Sequence, residues 1–282
     1  HTLGYHPLLA TIAETGEILH GRLRRGSANT QRGTKRFVNE LVARARRDDP
    51  TRELMIRFDS GFWNNDTITN LGRLNVRYTM GVRTTVAALQ TAIAGIDDDA
   101  WQAIEYTCDG QAQVAECAYT SGRGAKQVTR RMIVRRTRLT DTTQQRLWPD
   151  WRHHAFLTDL DGDVVNIDRL HREHAVVELA IRDLKAGAGL EHLPSGVFSA
   201  NSAWFQIAIL AHNTLRWTAH LGGPHTDRLV VARTIRTQLL ALPGRLVNRA
   251  GQPTLRLPSR WPWADTFTKI LDALRALEPV PT

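Results

Sequence analysis

Leu54-Met55-Ile56-Arg57-Phe58-Asp59-Ser60-Gly61 is the stretch that decides the fold. A short apolar run stopped by a carboxylate and a glycine reads as a strand buried on both faces. Asn65 to Leu74 reads as the helix that follows, and Val76 to Val82 as the next strand. Upstream, Tyr5 to Ala10 and Ile18 to Leu23 read as two strands around a Glu14-Thr15-Gly16-Glu17 turn. Phe37, Leu41 and Val42, opposite Arg44, Arg46 and Arg47, predict an amphipathic helix. Strands alternating with helices argue for an α/β core.

Residues 97–153 differ. They are rich in Thr, Val, Tyr and Arg, and Met132-Ile133-Val134-Arg135-Arg136-Thr137-Arg138 alternates only weakly. We read a strand-rich insertion with an arginine face. His154 to Thr158 returns to the core as a strand, and Asp168 is expected to cap the next helix. Gly187 and Gly189 should end that helix. Ser199 should cap a long helix with Trp204, Ile207, Leu210, Ala211 and Leu215 on its buried side. Arg228 to Leu242 reads as helical, Pro253 to Pro262 as a linker, and Trp263 to Leu277 as a final amphipathic helix.

At 282 residues the chain can bury a sizeable core. No apolar run approaches the ~18 residues needed to span a bilayer, and the N-terminus lacks the pattern of a signal peptide. A cytoplasmic location and no membrane partner are expected. The formal net charge is +9, and all the cations except Lys35, Lys126, Lys185 and Lys269 are arginines. Arginine matches phosphate bidentately, so a nucleic-acid partner is favoured. Cys108 and Cys117 make neither a zinc set nor a disulfide framework.

One predicted helix carries His171, His174, Glu178, Arg182 and Lys185. Steps of three, four, four and three residues would keep them on one face. A carboxylate flanked by cations suits holding a divalent ion beside a phosphate. Asp59, directly after a strand and before Ser60-Gly61, is the second candidate ligand. The bland alternatives are a turn cap for Asp59 and a solvated charged face for Glu178.

The spacing His171-x2-His174-x3-Glu178-x6-Lys185 resembles the Tyr-x2-Arg-x3-Glu-x6-Lys signature of DDE-type insertion-sequence transposases. Gly4-Tyr5-His6-Pro7-Leu8-Leu9, Arg57 to Phe62, Ser199 to Trp204 and Pro258 to Trp263 are similar to segments of that family too. The resemblance implies an RNase H-like core, incomplete because its first strand is missing, with a strand-rich insertion and C-terminal helices. The expected division is 1–96 and 154–222 for the core, 97–153 for the insertion and 223–282 for a helical region.

It further implies Asp59 and Glu178 as catalytic, metal-binding carboxylates for Mg²⁺ or Mn²⁺. His171, His174, Arg182, Lys185, Arg135 and Arg136 would contact DNA, and Trp101, Trp148 or Trp151 would stabilise a flipped base. The partners would be duplex DNA at transposon ends and target sites, with a homodimer in a synaptic complex as one assembly. The setting would be the bacterial cytoplasm, at the nucleoid when DNA is bound. The family's first aspartate lies upstream of the segment matching Gly4 to Leu9. The expectation is therefore a transposase fragment inactive as it stands, the alternative being a non-catalytic DNA-binding remnant.

Overall fold

The structure is a computed structural model that describes residues 4–106, 110–122, 124, 127–139, 151–173, 176–222, 231–258 and 260–277. In chain order the first elements are β1 (Leu8–Thr11), β2 (Ile18–Arg22), α1 (Thr34–Ala45), β3 (Met55–Phe58) and α2 (Asn65–Arg73). Next come β4 (Arg77–Val82), α3 (Ala87–Ala94), β5 (Gln102–Ala103), β6 (Gly110–Ser121), β7 (Val128–Leu139) and β8 (Arg152–Thr158). Then follow α4 (Val164–Arg172), α5 (Val176–Gly187), α6 (Phe198–Gly222) and α7 (Ala232–Ile235). A ribbon of β9 (Arg245–Arg249) and β10 (Gln252–Arg256) precedes α8 (Ala264–Ala276). The fold is mixed α/β. None of the described helices is long and apolar enough to cross a membrane.

The chain divides into two compact units, residues 1–8 with 24–175 and residues 9–23 with 176–282. The first is built on a six-stranded sheet of order β3-β4-β8-β7-β6-β5. β3 and β4 are parallel and joined through α2, whereas β4 to β8 and every later pairing are antiparallel. The strand-rich stretch therefore extends the sheet that holds β3 and β4.

Met132, Ile133 and Val134 in the middle of β7 are all fully buried, because both faces of the sheet are covered. Met132 and Val134 pack with Leu157 and with Ile68, Leu71, Leu89 and Ile93 from α2 and α3. Ile133 packs with Phe156, Val114 and the α4 residues Val164 and Ile167. β3 is not buried on both faces as its composition predicts. Among the described residues it is an edge strand paired with β4, and only Phe58 of its residues is buried.

α2 starts where Asn64 accepts the Asp66 N–H at 2.7 Å, as a helix cap does. Asp168 does not cap α4. Asp163 does, accepting the Asn166 N–H at 3.0 Å. Asp168 lies inside α4, fully buried between Arg135 at 2.8 Å and Arg172 at 2.9 Å. Those two guanidiniums offset the cost of taking the carboxylate out of water.

In the second unit, β1 and β2 form a two-stranded sheet of their own. α6 packs against β2 through Phe205 and Ile209, which Gly21 admits: a Cβ there would stand 2.3 Å from Ile209 Cδ1. The buried side of α6 is thus Phe205, Ala208, Ile209, His212 and Arg216. The stripe expected inside is instead largely outside, with Ile207 and Leu210 exposed at 59% and 58%. Two apolar stripes run along this helix, and polar partners on α5 and the β1–β2 turn decide which faces in. The linker expected over 253–262 begins instead as β10.

Candidate functional site

The two carboxylates singled out by sequence fall in different units, and each is described in its own surroundings. Asp59 stands at the C-terminal end of β3, exposed, as the first residue of a tight 3-10 turn over Ser60–Phe62. Its Oδ1 accepts the Ser60 N–H at 2.6 Å, and its backbone carbonyl accepts the Phe62 N–H at 3.0 Å. The turn lies close on β4 because position 81 is glycine. A Cβ on Gly81 would stand 2.9 Å from Ser60 N, and one on Gly61 would meet Thr30 at 3.2 Å. The capping role that competes with a ligand role is therefore real, but it occupies one carboxylate oxygen, and among the described residues the other accepts no hydrogen bond.

Glu178 lies in the first turn of α5 and is exposed, as are Arg182 and Lys185. Among the described residues none of these three side chains forms a hydrogen bond or ion pair. The Glu178–Arg182 pair that would make this an ordinary solvated face is not formed.

The opposite side of α5 is fastened by a buried polar group. Asp183 Oδ1 accepts the Ala232 N–H at 2.8 Å. Its Oδ2 stands 3.4 Å from His212 Nδ1 and 3.5 Å from an Arg216 guanidinium nitrogen. Arg216 also donates to the carbonyl of Thr15 in the β1–β2 turn, at 3.3 Å. Burial alone would raise the Asp183 carboxyl, yet His212, the Ala232 N–H and Arg216 together hold it below its ordinary range. α5 terminates with Gly189 in the left-handed region, φ 77°, where glycine carries no steric penalty.

The single helical comb does not hold. α4 ends at Arg172 with Glu173 as its C-cap, and Glu178, Arg182 and Lys185 belong to α5. His171 is on α4, its ring stacked on Phe156 at 4.0 Å and its Nδ1 2.7 Å from Thr79 Oγ1. His171 is thus a packing residue of the first unit, drawn to the sheet by an aromatic face. His174 lies outside the described residues.

Of the three arginines expected to contact DNA, Arg182 is exposed on α5, whereas Arg135 is mostly buried and committed to Asp168. Arg136 donates through Nε to Gln113 Oε1 at 2.7 Å. Its guanidinium sits between Trp101 at 4.1 Å and Trp151 at 4.7 Å from the ring centroids. Each contact of this kind contributes about 0.5–2 kcal/mol. Trp148 and Cys108 lie outside the described residues. Cys117 is half-buried on β6, and burial pushes its thiol up.

Asp183 and Asp168, the two buried carboxylates, were missed as network residues. A signal was present for Asp168, which follows Ile167 on a helix with Arg172 four residues on; for Asp183 the partners lie on another helix, and their identity needs the fold. Among the described residues no group of three or more His, Cys, Asp or Glu side chains could hold a metal ion.

The family model for transposase DDE domain group 1 matches residues 1–279, nearly the whole chain. The chain belongs to that family. Comparison with curated proteins gives no match.

Proposed function

We propose that this member of the transposase DDE domain group directs metal-dependent phosphodiester cleavage and strand transfer at transposon ends, with Asp59 and Glu178 as two of the metal-holding carboxylates. The observation that carries it is the state of those two side chains. Both are exposed at fixed backbone positions, one at a strand end and one on a helix face. Glu178 has no competing partner among the described residues, and Asp59 spends only Oδ1 on its turn. Hard oxygen donors of this type fit Mg²⁺ or Mn²⁺.

When bound, the ion would neutralise charge on the attacked phosphate and activate water. The rest is positioning by the chain itself. The turn over Ser60–Phe62 fixes the Asp59 carboxylate. The Asp183 anchor fixes the rotation of α5 and so the direction of Glu178. Arg182 and Lys185, four and seven residues on along the same face, would hold the DNA backbone. The Trp101–Arg136–Trp151 stack is a surface that an unstacked base would extend.

The reading includes an RNase H-like core in which a further strand belongs beside β3. Its support is the topology: β1–β2 is a separate sheet and β3 is an edge.

The test is nicking of end-bearing DNA in Mg²⁺ by a protein with the complete carboxylate set. Asp59→Asn and Glu178→Gln should each abolish nicking and leave DNA affinity within about twofold, since neither removes a cation that contacts phosphate. Cleavage retained in either variant removes that residue from the metal set. DNA binding without cleavage in the unsubstituted protein would leave a binding remnant.

A further inference from the structure

Between Asp227 and Asp265 the sequence has no Asp or Glu but carries seven arginines. Three of these lie on β9 and β10, which among the described residues form a separate two-stranded antiparallel sheet. The register sets Arg245 opposite Arg256, Val247 opposite Thr254 and Arg249 opposite Gln252. Opposed residues share a face and successive ones alternate. Arg245, Arg249 and Arg256 therefore occupy one face, while Leu246 and Leu255 form a pair on the other.

All three arginines are exposed, and among the described residues none has a hydrogen bond or ion pair. Like charges directly opposed on a ribbon repel. Among the described residues no carboxylate pairs with Arg245 or Arg256 to relieve that repulsion, and an external anion would.

We infer that this face of the β9–β10 ribbon docks on the phosphate backbone of duplex DNA. The inference rests on the DNA reading above and assigns it a surface that neither Asp59 nor Glu178 touches. A two-stranded ribbon is of a size that enters the major groove, about 12 Å wide. Four residues of strand separate Arg245 from Arg249, a span of about 13 Å, so one ribbon reaches more than one phosphate. Planar guanidinium forks suit that target. A repeating array of anions matches cations held on a regular ribbon better than an irregular acidic protein surface does.

The test is equilibrium binding of the full chain to a duplex of arbitrary sequence, by fluorescence anisotropy across a series of salt concentrations. The unsubstituted chain is compared with Arg245→Ala/Arg256→Ala and with Arg245→Gln/Arg256→Gln, the latter keeping side-chain length should the first perturb the ribbon. The control is Arg36→Ala/Arg275→Ala, which removes two exposed arginines elsewhere with the same loss of charge.

Loss of two phosphate contacts should lower the slope of log K against log salt by about 1.8 in the ribbon variants. The control should stay near the unsubstituted slope. Ribbon variants indistinguishable from the control would overturn the ribbon surface while leaving DNA binding intact. An unsubstituted chain that fails to bind duplex would overturn the DNA reading itself. Polyglutamate bound as tightly as duplex at equal salt would assign the face to an acidic protein partner and overturn the inference.

Discussion

Replacing Asp183 should be among the most damaging single changes in the second unit. The side chain is buried, and its two neighbours are buried with it: Arg216 is 5% exposed and His212 fully enclosed. Asp183→Asn keeps an oxygen for the Ala232 N–H but removes the negative charge. Arg216 then becomes a buried cation left with only the lesser charge of Glu17, a loss of up to about 3–5 kcal/mol. Asp183→Ala also orphans the Ala232 N–H, adding about 1–3 kcal/mol.

Urea unfolding followed by tryptophan fluorescence reads this out. With slopes of roughly 1–3 kcal/mol/M, the Asn variant should unfold at least ~1 M earlier. The effect has a defined pH dependence. The folded carboxyl titrates below its unfolded value, so its stabilisation is present above about pH 3.9 and fades as pH falls through the folded value. The gap between wild type and Asn variant should therefore close in acid. A loss under about 1 kcal/mol at neutral pH, or a gap unchanged at about pH 2, would refute the charge-anchor argument.

Other changes test neighbouring parts of the account. Gly81→Ala should cost about 1–3 kcal/mol, because the new Cβ meets Ser60 backbone at 2.9 Å; thermal melting checks it. Ala250 sits at φ 50° beside Gly251 at φ 83° in the two-residue turn of the ribbon. Ala250→Gly should stabilise that turn by up to about 1 kcal/mol, read as slower amide exchange in β9 and β10. Met132→Ala should cost about 2–5 kcal/mol from the fully buried centre of β7, measured by urea midpoint. His153 titrates below its ordinary value because of burial and then the charges of Arg136 and His154, and His154 because of burial and then Arg135 and Arg152. The unfolded chain then takes up protons first, so stability of the first unit should fall as pH drops below about 6.5; a pH series of melting temperatures shows it.

The core of the first unit was legible because its signals are local. The Leu54–Phe58 run, the Asn65–Leu74 helix and the strand after it match β3, α2 and β4 within a residue or two. What was not legible depends on distant partners. α6 has two apolar stripes, and the one bearing His212 and Arg216 turned inward because Asp183 and the Thr15 carbonyl await it. Helical spacing alone joined His171 to Glu178, whereas the ring of His171 is held by Phe156 and Thr79. The second strand of the ribbon was read as the start of a linker because Pro253 to Pro262 is rich in proline. Both strands of the ribbon are edges, where proline is tolerated, and Ala250-Gly251 was the overlooked turn signal.

The most direct measurement replaces Mg²⁺ by Fe²⁺ and maps where ascorbate and peroxide cut the polypeptide. Radicals formed at a bound iron cleave backbone only in its immediate neighbourhood. The account predicts cuts beside Asp59 at the end of β3 and beside Glu178 on α5, both suppressed by excess Mg²⁺. No cut beside one of these residues would remove that residue from the metal-holding set, and no cut at either would contradict the account.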